Sequence, residues 1–140
     1  MKILHLSYSD NLGGAANAAF QLHRGLISSG VESRMLVAKI NSNEEGIFKC
    51  PANKKDRFYL KVKLLKKYKK LKAQKRLFKE GRPTTYTSEP HSKYNFKEVV
   101  WLLEWADIIN LHWVAGLVDW EKHIHLLSQF APLVWTLHDM

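Results

Sequence analysis

A Gly-Gly pair stands where a short apolar run meets a helical pattern, and this junction constrains the fold more than any other feature of the chain. Residues Lys2 to Tyr8 carry Ile3, Leu4 and Leu6 and end in the turn cluster Ser9-Asp10-Asn11-Leu12-Gly13-Gly14, the punctuation of a buried strand. From Ala15 the pattern turns helical, with Ala18, Leu22 and Leu26 in one row and Ala15, Ala19 and Phe20 beside it. Gly30 falls where a helix ends in a left-handed residue, and Ser33 to Ala38 form a second apolar strand. A strand–helix–strand unit this short favours parallel pairing with a crossover connection.

The C-terminal third repeats the alternation. Asn95 or Ser92 is placed to cap a helix over Phe96–Trp105. Asp107 to His112 reads as a buried strand, Val118 to Phe130 as a helix, and Pro132 to Leu137 as a further strand. Continuous apolar strands between helices are what a parallel sheet covered on both faces requires. The expected architecture is α/β, a Rossmann-like doubly wound parallel sheet, with ligands at the carboxyl ends of its strands.

Charge divides the chain. Of its 140 residues, 22 are Lys or Arg and 13 are Asp or Glu, a formal net of +9. Residues 54–82 alone hold 14 of the basic residues against Asp56 and Glu80, so this segment nets +12 and the remainder −3. Breakers at Asn41-Ser42-Asn43, Pro51-Ala52-Asn53 and Gly81-Arg82-Pro83 frame residues 40–95 as loop, basic helix and loop. Leu60, Leu64, Leu71 and Phe78, with Tyr68 nearby, share one stripe of that helix. Lysines beside Leu and Tyr suit an anionic membrane surface, and Lys61, Lys63, Lys66, Lys67, Lys70, Leu64, Tyr68 and Leu71 are the expected contacts. Nucleic acid is the weaker reading, since the segment has 11 Lys to three Arg and base recognition favours Arg. A solvated face is the remaining alternative.

Several chemistries are disfavoured. The single cysteine, Cys50, excludes an intrachain disulfide framework and a Cys-based zinc cage. No apolar run reaches the ~18 residues of a membrane span, and the start MKILHLSYSD is read as a strand, not a signal peptide. His123 and His125 on a helix point to different sides and cannot chelate one metal. Neither a Walker loop nor a nucleophile elbow is present. The features left are Gly13-Gly14, whose glycines and following helix N-terminus suit a phosphate as well as a plain tight turn, and two histidines. His112-Trp113 and His138-Asp139 each end an expected strand, on the same sheet edge as the Gly-Gly turn.

The stretches MKILHLSYSDNLGGAANAAFQLHRGLISSGVESRMLV (1–37), WADIINLHWVAGLV (105–118) and LVWTLHDM (133–140) resemble the N-terminal domain of GT-B fold retaining glycosyltransferases of family 4. The resemblance implies an acceptor-side Rossmann-like domain facing a second, nucleotide-sugar-binding domain across a cleft. It implies that Gly13 and Gly14 approach the donor diphosphate, that His138 is the catalytic-site residue beside the transferred sugar, and that Asn11, His112 and Trp113 line the acceptor pocket. No metal or other cofactor is implied; the nucleotide-sugar is a substrate. Relatives of this kind work on lipid-linked glycans in polysaccharide assembly, which implies a cytoplasmic protein held peripherally at the inner face of the cell membrane. Such enzymes are much longer and carry a Glu-x7-Glu motif in the donor domain. The expectation is therefore that residues 1–140 form an incomplete GT-B N-terminal domain with a basic helical insert at 54–82, inactive without the missing C-terminal donor domain. The alternative is a non-catalytic Rossmann-like module that binds a membrane or partner through its Lys-rich helix.

Overall fold

Strands joined through helices pair in parallel because each connection must return over a face of the sheet before the next strand can start. In the computed structural model, which describes residues 1–52 and 92–138, the strands are β1 (Lys2–Ser9), β2 (Glu32–Lys39), β3 (Ile47–Lys49), β4 (Ile108–Leu111) and β5 (Leu133–Trp135). They form a single five-stranded sheet in the order β3-β2-β1-β4-β5, and every pairing is parallel. The fold is Rossmann-like α/β. Helix α1 (Gly14–Ser28) joins β1 to β2. A 3-10 turn (Phe96–Val99) runs into α2 (Val100–Trp105) ahead of β4, and α3 (His123–Ser128) precedes β5.

The period-two alternation of each strand feeds two cores. On one face, Leu4, Leu6, Leu36, Ile109 and Leu111 pack with Leu102, Leu103, Leu117 and Leu127, all buried. Each such side chain contributes roughly 1.5–3 kcal/mol of burial. On the opposite face Ala19 and Phe20 of α1 pack on Met35 and Val37, with Ile47 at the margin. Strand register continues that second face as a row across the sheet: Ile47 beside Met35, Met35 beside His5, His5 beside Asn110, and Asn110 beside Val134. The row is apolar under α1 and becomes polar at β1 and β4.

Three sequence expectations need correction. β3 was expected as loop; its three residues, Ile47, Phe48 and Lys49, are too few to show a periodicity, and pairing with β2 creates the strand. The helix expected over Val118–Phe130 is only His123–Ser128, because Asp119 holds the chain in turns: its side chain accepts from Lys122 N, and its backbone N–H donates to His123 Nδ1. The helix expected as one piece over Phe96–Trp105 begins as the 3-10 turn, with Asn95 as its cap accepting from Lys97 N. Ser92 instead donates to the Leu117 carbonyl. The basic segment 54–82, including every residue expected at a membrane, lies outside the described residues, as does Asp139.

Candidate functional site

The connection after β1 leads to β2 on one side, while β4 lies on the other, so the strand order, not the strand direction, reverses between β1 and β4. At such a switch point the connections diverge and leave a crevice at the carboxyl ends of the strands. The Gly-Gly turn stands at this edge. Gly13 caps α1 with φ 98° and ψ 164°, a conformation that side chains other than glycine's rarely adopt. Its carbonyl accepts from Asn17 N at 2.9 Å. A Cβ at Gly13 or Gly14 would meet nothing within 4 Å, so the space before the first turn of α1 is open, and the free N–H groups of that turn favour an anion.

Asp10 braces the turn from beneath. Its buried carboxylate accepts from Asn11 N (2.9 Å), Ser42 N and Ser42 Oγ (both 2.7 Å), and Asn41 N (3.0 Å) and Nδ2 (2.9 Å). Burial alone would raise its pKa, but the hydrogen bonds from Asn41 and Ser42 outweigh it and hold the carboxyl well below the usual carboxylate range. The loop after β2 is thereby tied to the loop after β1. Asn11, expected in a ligand pocket, is half-buried in this turn and engages Asp10 through its backbone.

The histidines form a connected chain. His112 follows β4, and its N–H donates to Leu6 O at 2.9 Å, which carries the sheet ladder one residue further. Its Nε2 lies 2.9 Å from His5 Nδ1 and its Nδ1 lies 2.9 Å from His138 Nε2. Both links are hydrogen bonds, running from a fully buried His5 through a buried His112 to a half-buried His138. Burial, then the neighbouring His112 and His23, push the pKa of His5 down to about 3. Burial and His138 lower that of His112 to about 4. Both rings are therefore neutral at physiological pH. His23 stands behind His5, edge to face at 6.2 Å, and is itself bonded to Ser33 Oγ at 2.7 Å.

His112 and His138 open onto a pocket of about 130 Å³ whose other walls include Trp113, Trp120, Trp135 and Thr136. Trp120 and Trp135 lie against each other at 4.8 Å between ring centres. Thr136 is fixed by its Oγ1 donating to Asn110 Oδ1 at 2.9 Å and by its N–H donating to Leu111 O at 2.8 Å. The Trp113 carbonyl accepts from Tyr8 N at 2.7 Å, which clamps the pocket loop to β1. Of the residues singled out in the sequence, His112, Trp113 and His138 come together here, while Asn11, Gly13 and Gly14 are not among the lining residues. Sequence reasoning missed Asp10, Trp120, Trp135 and the role of His5. The alternation Ile3-His5-Ser7 against Leu4-Leu6-Tyr8 separates His5 from the leucine face of β1; the register of β1 on β4 is what sets it beside Asn110, on the face that His112 shares.

Compared with protein-family models, curated proteins and solved structures, the chain matches none.

Proposed function

We propose that the chain is the acceptor-side part of a retaining glycosyltransferase, which transfers a sugar from a nucleotide-sugar to a glycan, lipid-linked in polysaccharide assembly. The observation that carries this proposal is the aromatic pocket closed by His112 and His138 at the sheet edge where the open Gly13-Gly14 turn begins α1. Indole faces suit the apolar face of a pyranose ring, and imidazole nitrogens suit its hydroxyls. The N-terminus of a fifteen-residue α1 offers backbone N–H groups and a positive dipole end to the diphosphate that departs with negative charge. His138 positions the transferred sugar by hydrogen bonding, and Trp113 lines the acceptor side. Backbone donors supply the charge stabilisation, and no metal is assigned. A donor-binding domain completes the cleft in the proposed enzyme, and the basic segment 54–82 brings it to an anionic membrane surface at the cytoplasmic face.

Saturation-transfer NMR detects the weak binding expected of one half of a cleft. With a panel of glycosides and nucleoside diphosphate sugars, saturation should reach the ring protons of at least one sugar. Trp113→Ala, at a half-exposed position, should remove most of it. No transfer to any sugar by the folded protein would sink the proposal. Sedimentation with anionic vesicles, for the chain with and without residues 54–82, tests the membrane part: binding that survives deletion contradicts it. Vesicle binding without any sugar binding would instead indicate the non-catalytic module.

A further inference from the structure

His5 is buried and lies one ring beyond the pocket, so it has no direct access to a ligand. Its place in the chain of imidazoles nevertheless constrains His138. A neutral imidazole carries one N–H, and each of the two links needs one proton between its nitrogens. Only two arrangements satisfy both links. In the first, His5 Nδ1–H donates to His112 Nε2, and His112 Nδ1–H donates to His138 Nε2. His5 Nε2 is then a bare lone pair and His138 carries its proton on Nδ1. In the second every bond reverses: His138 Nε2–H donates inward, His138 Nδ1 is bare, and His5 carries its proton on Nε2.

The buried end decides between them. His5 Nε2 has no hydrogen-bond partner and is shielded from solvent. The second arrangement leaves an N–H orphaned there, and orphaned buried N–H groups are the rarer defect; the first leaves only an unused lone pair. The other ring beside His5, that of His23, engages Ser33 Oγ through its Nδ1. Among the described residues His138 Nδ1 meets no hydrogen-bonding side chain, so the proton it carries in the first arrangement is free for a ligand.

We infer that His5 and His112 are positioning residues: their hydrogen-bond chain, with its dead end at His5 Nε2, fixes the proton of His138 on Nδ1. His138 then offers an N–H donor to a ligand oxygen in the pocket. It accepts through Nε2 from His112, so it is not available there as a base. The identity of that oxygen as a sugar hydroxyl rests on the glycosyltransferase proposal; the tautomer does not.

Long-range 1H–15N correlation spectra of histidine-labelled protein at about pH 8, above the unperturbed histidine range, report which nitrogen of each ring is protonated. The expected result is protonated Nδ1 and bare Nε2 at His138, His112 and His5 alike. A free surface imidazole prefers the opposite form, so a protonated Nε2 at His138 in the unaltered protein overturns the inference. His112→Phe should release His138 to the Nε2–H form, and retention of Nδ1–H there also overturns it. If that variant does not fold, His5→Gln replaces it: an amide serves either direction of the chain, and His138 should become a mixture of both forms. An unchanged pure Nδ1–H form in His5→Gln removes His5 from the role. A correct tautomer in a protein that binds no sugar would leave this inference standing and remove the functional proposal instead.

Discussion

Acidifying the protein from pH 7 to pH 5 is expected to cost about 4 kcal/mol of folding stability, because two imidazoles buried as neutral rings cannot take up protons that the unfolded chain binds. Unfolded histidine titrates near 6.5, whereas His5 is held down to about 3 and His112 to about 4. Between those limits the unfolded state binds more protons, so stability is full above about pH 6.5 and falls as the pH drops toward the folded values. At pH 5 each ring accounts for about 2 kcal/mol relative to pH 7. His23 and His123, also lowered chiefly by burial, act in the same direction. Asp10 does not confound the window, since its depressed carboxyl matters only below about pH 4, where the unfolded group protonates. Against a typical total of about 5–15 kcal/mol, the loss is large. Urea unfolding followed by tryptophan fluorescence at pH 7, 6 and 5 measures it. His112→Phe should lower stability at pH 7 yet remove roughly half of the pH dependence. A midpoint that stays constant from pH 7 to 5 would refute the buried neutral chain.

Three substitutions at the turn separate its parts. Gly13→Ala forces a Cβ into a conformation reserved for glycine and should destabilise by roughly 1–3 kcal/mol, whereas Gly14→Ala, in the helix with open space around it, should stabilise by up to about 1 kcal/mol; thermal unfolding of the pair, with equal shifts as the contrary result, checks both. Asp10→Ala strands the donors of Asn11, Asn41 and Ser42 and should cost about 3 kcal/mol. Amide exchange at Asn41 and Ser42 should accelerate in the same variant, and protection as in the unaltered protein would show that Asp10 is not the brace.

The parallel sheet was legible because its strands are continuous apolar runs and its helices have their own period. β1, α1 and β2 lie close to where Ile3–Tyr8, Ala15–Leu26 and Ser33–Ala38 place them, but α1 buries Ala16, Ala19, Phe20 and His23 and leaves Ala18 and Leu22 of the expected row exposed. Elements settled by tertiary contacts were not legible. β3 exists through its pairing with β2, and α3 starts late because Asp119 holds the preceding turn. The site divides in the same way. His112 and His138 could be found because each ends a run that the sequence reads as a strand; His112 directly follows β4, whereas β5 stops at Trp135 and His138 lies three residues beyond it. His5 looked like an interruption of an apolar run, and only the register that sets β1 beside β4 shows that its ring reaches His112. Asp10 read as one turn residue among several, and its partners at Asn41 and Ser42 come from a loop far along the chain.

Glycosyl transfer itself is the most direct test of the proposed function. The protein, assembled with the donor-binding domain that the proposal requires, would be supplied with labelled nucleotide-sugars and membrane-linked glycan acceptors, and label entering the acceptor would be counted. Transfer from at least one nucleotide-sugar is predicted, with at least about a tenfold loss in His138→Ala, equivalent to about 1.4 kcal/mol of transition-state stabilisation. Unchanged turnover in His138→Ala, or no transfer from any nucleotide-sugar by the folded, assembled protein, would contradict it.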